Sequence, residues 1–138
     1  MNIIVCIDER GGMLFHQRRV SRDQVVILDI VNSIQEKIYM NEYSQKMFYE
    51  YGIDKNIEIF TEISKDGCYF IENQYLQPYV HNIEKLVVYC WNRHYPSDFK
   101  LDIDLSSSRW MKISDEDLQG KSHEKITKSI YVNKEFLK

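Results

Sequence analysis

The stretch "NIIVCIDERGGMLFHQRRVSRDQVVILDIV", residues 2–31, decides the fold class. It opens on an apolar run that ends in charge and then Gly11-Gly12, the pattern of a buried first strand stopping at a turn. Further on, "SRDQ" sets Ser21 at a helix N-cap position with Gln24 three residues later, the spacing of a capping box. The helix so started is predicted to run to about Glu36. It turns Ile27, Ile30, Val31 and Ile34 inward, with Leu28 beside them, because these residues recur at helical spacing. A buried strand followed by an amphipathic helix is an α/β beginning.

The pattern then repeats. "KIYM", residues 37–40, reads as a short strand. "NEYSQKMFYEYG", residues 41–52, reads as a second helix capped by Asn41 and stopped at Gly52, burying Tyr43, Met47, Phe48 and Tyr51. "NIEIFTEI" alternates as a strand does, "GCYFI" follows a polar loop, and "ENQYLQPYV" holds one or two helical turns interrupted by Pro78. "EKLVVYCWNR", residues 84–93, is the strongest strand. "RWMKIS" and "KITKSIYVN" are alternating strands joined by "DEDLQGKSHE", which predicts a C-terminal antiparallel hairpin. The expected fold is therefore α/β, a single domain over residues 1–138 with a mixed sheet flanked by helices.

At 138 residues the chain is long enough to bury a core without disulfide or metal staples. A net charge of −3 argues against general nucleic-acid binding, which needs an excess of Lys and Arg to displace counterions. No apolar run approaches the roughly 18 residues that span a bilayer, and "MNIIVCIDER" lacks the pattern of a signal peptide. A cytoplasmic location with no membrane partner is the expectation. Cys6, Cys68 and Cys90 lie far apart among apolar neighbours and read as small buried hydrophobes in strands.

The opening stretch also carries four of the chain's six arginines. Arg18, Arg19 and Arg22 stand just before a helix N-terminus, where free N–H groups favour a phosphate or carboxylate. The plainer alternative has them facing water and pairing with Asp8, Glu9 and Glu36. Asp23 shares a helix face with Ile27, Ile30 and Ile34, so its carboxylate points inward; against this, acidic residues are common in a first helical turn. His16 is a candidate acid/base partner for Asp23. "GKSHEK", residues 120–125, combines a turn glycine with Lys, Ser and His and suggests a Ser-His nucleophile or a phosphate cradle; the full P-loop pattern is absent and adjacent Ser and His on a strand point to opposite sides, so the favoured reading is a solvated hairpin loop. "CWNRHYP", residues 90–96, reads as an aromatic plug closing the core, with ring stacking as the alternative.

The order of elements, with particular residues, resembles dihydrofolate reductase over most of the chain. "NQYLQPYVHNIEKLVVYCWNRHYPSDFKLDIDLSSSRWMKIS" looks like that family's short helix, strand, acidic-aromatic loop and next strand, and "KSHEKITKSIYVNK" like its last strand. "NIIVCIDERGGML" is similar to its first strand and loop, and "SRDQVVILDIV" to the helix whose first turn carries the catalytic carboxylate. The resemblance implies that Asp23 takes that carboxylate's place.

The cofactor motifs depart from the family. Where it has Gly-Arg-(Lys or His)-Thr to hold the phosphates of the nicotinamide cofactor, this chain has "NEYS", with Glu42 in place of arginine. An acidic side chain repels phosphate. Where the family has a Gly-Gly pair under the pyrophosphate, this chain has "FIEN", Phe70 to Asn73, whose side chains would block that approach. The chain also looks like a group of short bacterial proteins often labelled ribonuclease Z. That enzyme needs clustered histidines to hold two zinc ions, whereas His16, His81, His94 and His123 stand far apart. Neither a bound metal nor a cofactor is expected.

Three functions remain in view. The first is a dihydrofolate-reductase-like module without a dinucleotide site that binds a small anionic or nucleotide-like ligand beside Arg18, Arg19, Arg22 and Asp23. The second is a small enzyme on a nucleotide-like or pterin-like substrate with Asp23 and His16 as acid and base. The third is a protein-interaction factor, of mobile-element origin, that uses a Tyr-rich surface.

Overall fold

The computed structural model describes residues 1–64 and 66–137. Strand β1 (Asn2–Ile7) is apolar on both faces, with Ile3, Ile4 and Val5 buried, so it needs cover on both sides. It lies between two parallel neighbours, β6 (Cys68–Phe70) and β7 (Lys85–Cys90). Outward from β6 lie β4 (Ile38–Met40) and β5 (Ile57–Ile59), also parallel. Outward from β7 lie β10 (Ile126–Asn133) and β9 (Trp110–Leu118), antiparallel. The order is β5-β4-β6-β1-β7-β10-β9, a mixed sheet closed at one end by the expected C-terminal hairpin.

Alternation along the strands divides the core between the two faces. On one face Ile4, Phe70, Val87 and Tyr89 meet Val26, Ile27 and Ile30 of helix α1 (Gln24–Ser33) and Met47 and Phe48 of helix α2 (Glu42–Glu50). On the other, Ile3, Val5, Tyr69, Leu86 and Val88 pack under Leu76, Val80 and Ile83, which precede, lie within and follow a 3-10 helix (Gln77–Asn82), and under Trp110. A small second sheet, β3 (Arg18–Arg19), β2 (Gly12–Phe15) and β8 (Phe99–Lys100), covers this side near the end of β1.

Several local expectations change. Helix α1 begins two residues later than the capping-box reading and ends at Ser33, because its N-cap is Asp23 and not Ser21. Its buried stripe is Val26, Ile27 and Ile30, while Leu28 is exposed and Val31 and Ile34 are half-buried. Helix α2 is as expected at both ends: Asn41 accepts from the Ser44 N–H at 3.0 Å, and Gly52 adopts φ +80° just beyond. Tyr43 and Tyr51, however, are only half-buried. "MLFHQRRV" forms a tight hairpin whose turn residues His16 and Gln17 both have positive φ, the geometry of a two-residue turn that glycine or asparagine would have signalled. The acidic "DEDL" is the end of β9, not loop. All three cysteines lie in strands, Cys68 buried and the other two half-buried.

Asp8, read as a surface partner for arginine, is fully buried at the end of β1. Its carboxylate accepts the N–H groups of Arg10 (2.9 Å), Gly12 (2.7 Å) and Tyr95 (3.0 Å). Burial alone would raise its carboxyl, but these N–H donors outweigh it and hold the group below its ordinary value. One side chain thereby fixes both the Gly-Gly turn and the segment after β7.

Leu86 is fully buried near the start of β7. Replacing it by Ala is expected to lower stability by about 3 kcal/mol through lost burial and a residual cavity. Urea denaturation of Leu86→Ala checks this, with the midpoint falling and the slope unchanged.

Candidate functional site

Asp23 sits at the start of α1 with its side chain 0% exposed. A carboxylate taken out of water must have its lone pairs filled, and here they are filled from two directions. From its own helix, Val25 N–H donates to Oδ1 at 3.0 Å. From the turn between β9 and β10, nearly a hundred residues away in sequence, Lys121 N–H donates to Oδ1 at 3.1 Å and Ser122 N–H to Oδ2 at 2.9 Å. Ser122 Oγ adds a bond at 3.1 Å and His123 Nδ1 one at 2.9 Å, both to Oδ2. Burial would raise this carboxyl; the His123 hydrogen bond and the three backbone N–H groups outweigh it and hold it far below the ordinary carboxylate range.

Gly120 is what allows the turn to come so close. A Cβ there would stand 2.5 Å from Asp23 Oδ2 and 2.8 Å from the His123 carbonyl oxygen, nearer than packed atoms approach. His123 is itself buried. Its ring stacks on Trp91 at 4.7 Å and 25°. Its far nitrogen, Nε2, meets Ser21 Oγ at 2.8 Å and Tyr95 Oη at 3.2 Å. The hydroxyl read as a helix cap therefore belongs to the histidine, and "GKSHEK" is a turn packed onto Asp23 where a solvated loop was expected.

The arginines separate. Arg19 is drawn inward: Nε and Nη2 grip the buried Glu72 carboxylate at 2.9 and 3.0 Å, and its guanidinium lies 4.2 Å over the Tyr43 ring. Ser44 Oγ, in the first turn of α2, donates to the same carboxylate at 2.7 Å. Arg22 lies over Tyr51, bonds its hydroxyl at 2.9 Å and reaches Glu50 at 3.4 Å. Arg18 is exposed. The acidic partners of Arg19 and Arg22 are thus Glu72 and Glu50, in place of the expected Asp8, Glu9 and Glu36. His16 lies at the tip of the β2–β3 turn, exposed, with its N–H on Asp98 Oδ2 at 3.1 Å. The imidazole that Asp23 holds is His123.

Free space is unequally distributed. The cavity lined by Ser21, Asp23, Val26, Met47, Phe70 and Trp91 holds about 10 Å³, barely a water molecule. A cleft lined by Leu14, Gln17, Tyr43, Asn73, Asp98 and Phe99 holds about 620 Å³, within the range of small-molecule sites. Among the described residues, no three His, Cys, Asp or Glu side chains gather in a way that could hold a metal ion.

No family model matches the sequence, and no curated protein matches it. Among solved structures the chain is similar to a dihydrofolate reductase from Enterococcus faecalis, solved with NADP(H) and RAB-propyl. The TM-score is 0.65, and the match covers 96% of each chain at 9% sequence identity. The fold is dihydrofolate-reductase-like. At that identity the likeness concerns the fold alone. The likeness to proteins labelled ribonuclease Z finds no support in these comparisons.

The segments "NEYS" and "FIEN" can now be placed. "NEYS" is the cap and first turn of α2, and "FIEN" runs off the end of β6, carrying Glu72 into the grip of Arg19 and Ser44. What sequence reasoning missed is the pairing of His123, expected in a solvated loop, with Asp23. Its signal was weak: a glycine three positions before a histidine, within a turn too short to predict a partner.

Asp23→Ala strips the partner from three N–H groups and a buried imidazole, and is expected to cost about 3–5 kcal/mol. Because the native carboxyl is held below its unfolded value of about 4, its contribution is present above that pH and is lost as pH falls. Urea titrations from pH 7 to pH 3 should therefore show wild type losing more stability than Asp23→Ala over that range. Gly120→Ala should cost about 1–3 kcal/mol by pushing the turn away. The double mutant should lose less than the sum, since both changes break one contact.

Proposed function

We propose that this chain is a small-ligand binding module on a dihydrofolate-reductase-like fold that does not use a nicotinamide dinucleotide. The observation that carries this reading is the buried Glu72 carboxylate, bonded to Ser44 in the first turn of α2 and clamped by Arg19. A helix N-terminus with a nearby arginine is where an anion is favoured, and here the chain's own glutamate engages the arginine and a hydroxyl of the first helical turn, while Asn41 caps the Ser44 N–H. A pyrophosphate arriving there would meet a negative charge and a guanidinium already engaged.

The ligand belongs in the larger cleft. Gln17 and Asn73 offer side-chain amides, Asp98 a carboxylate, and Tyr43 and Phe99 aromatic surface. This lining suits a flat, donor-bearing ring of the nucleoside or pterin kind. It suits a bare anion less, because Arg19 and Arg22 are committed to Glu72 and Glu50. The reading of Asp23 with His16 as an acid/base pair is the weaker one. Asp23 already accepts from Val25, Lys121, Ser122 and His123, and a carboxyl held so low has no proton to give near neutrality.

Thermal-shift measurements separate the readings, since a ligand bound only to the folded state adds about 2.7 kcal/mol at a hundredfold excess over its Kd. The expected result is a rise in Tm with a nucleoside or a reduced pterin, diminished in Asp98→Asn and Phe99→Ala, and none with NADPH. A clear rise with NADPH overturns the proposal, as does the lack of any rise with nucleosides and pterins.

A further inference from the structure

Ser21, His123 and Asp23 stand in the order of a nucleophile, a base and the group that orients the base. Asp23 is ionised and only accepts, so the His123 nitrogen facing it, Nδ1, carries the hydrogen. In the neutral ring Nε2 is then an acceptor. It faces Ser21 Oγ at 2.8 Å, within reach for taking the hydroxyl proton. Such a constellation is recognised by geometry and roles, whatever the fold and the order along the chain. Trp91 stacked on the imidazole and the backbone N–H groups on Asp23 hold the two supporting members rigid, while Ser21 is half-buried and can meet a reactant.

We infer that Ser21 is the nucleophile of a second, hydrolytic site, and that its substrate is an ester of a short acyl group, of acetyl size, on a good leaving alcohol. The acyl size follows from the cavity. The pocket beside Ser21 has room for about one water or methyl group; Val26, Ile27, Met47 and Phe70 line its apolar side, and Arg22, Asp23 and Glu72 its polar side. As Ser21 Oγ adds to the carbonyl carbon, its proton passes to His123 Nε2 and the carbonyl π pair moves onto oxygen. Tyr95 Oη, 3.3 Å from Ser21 Oγ, is placed to donate a hydrogen bond to that oxyanion. The bond to the leaving oxygen then breaks, and that oxygen takes the proton from Nε2. Water repeats the sequence on acyl-Ser21: it gives a proton to His123, releases the carboxylic acid and restores the hydroxyl. Asp23 stays ionised throughout. The site is separate from the ligand cleft, which shares none of the three residues.

The experiment uses the full chain with p-nitrophenyl acetate and p-nitrophenyl hexanoate, and in parallel with a methyl fluorophosphonate, whose methyl group matches the pocket, read by intact mass and peptide mapping. The expected results are a single phosphonyl adduct on Ser21 and acetate turnover at least tenfold faster than hexanoate. Ser21→Ala, which removes one half-buried hydroxyl, should lose acetate turnover at least a hundredfold with Tm changed by only a few degrees. Tyr95→Phe should lower kcat more than it raises KM. His123→Gln is the companion variant; if it does not fold, the Ser21→Ala rate and the adduct position decide alone. Wild-type turnover no faster than that of Ser21→Ala, or an adduct elsewhere or none, overturns the inference. Equal turnover of acetate and hexanoate overturns its acyl-size element.

Discussion

The buried carboxylate of Asp23 ties the two ends of the chain together. Left alone, it would be a charge in a low-dielectric interior, a state costing several kcal/mol. It is tolerated because one helix N–H, two turn N–H groups, a serine hydroxyl and an imidazole converge on it. That demand has structural consequences. The turn after β9 must approach to contact distance, which requires glycine at 120. His123 must leave solvent, and Trp91 gives its ring a face to lie on. Ser21 is freed from helix capping and turned toward Nε2. A single desolvated charge thereby sets where α1 begins, how the C-terminal hairpin docks, and which hydroxyl meets an imidazole.

Two further buried carboxylates work in the same way at other corners of the sheet. Asp8 gathers the N–H groups of Arg10, Gly12 and Tyr95 and so holds the first loop against the segment after β7. Glu72 gathers Arg19 and Ser44 and joins β6, α2 and the β2–β3 hairpin. Asp8 and Glu72 lie just beyond the ends of strands β1 and β6, and Asp23 at the start of α1, where backbone donors have no partner of their own. In an open α/β sheet this is also the edge at which ligands bind. Much of that edge is here closed by internal acceptors, and the open space is shifted to the cleft under the β2–β3 hairpin.

The basic character of the opening segment takes on a different meaning in this setting. Four arginines near a helix start look like an anion site when charge is counted along the chain. In space, Arg19 and Arg22 each lie on a tyrosine ring and pair with a glutamate of their own, which leaves Arg18 and Arg10 at the surface. Positive charge along a sequence measures attraction to anions only after the chain's own anions have been placed.

What the sequence by itself determined was the sheet and its two covering helices. The apolar runs of β1 and β7, the stripes of α1 and α2, the Asn41 cap and the C-terminal hairpin are all local patterns, set by residues within one or two turns of each other. They sufficed for a mixed α/β domain and for the dihydrofolate-reductase-like order of its elements. The inward direction of Asp23 was also legible, from its spacing to Ile27 and Ile30. What surrounds Asp23 was decided only by the tertiary structure. Whether an aspartate or a serine caps α1, whether His16 or His123 meets the carboxylate, and whether Glu72 neutralises Arg19 depend on groups separated by 50 to 100 residues. No periodicity encodes such pairings. They arise because desolvation makes each buried charge take whatever donors the packed sheet brings within 3 Å.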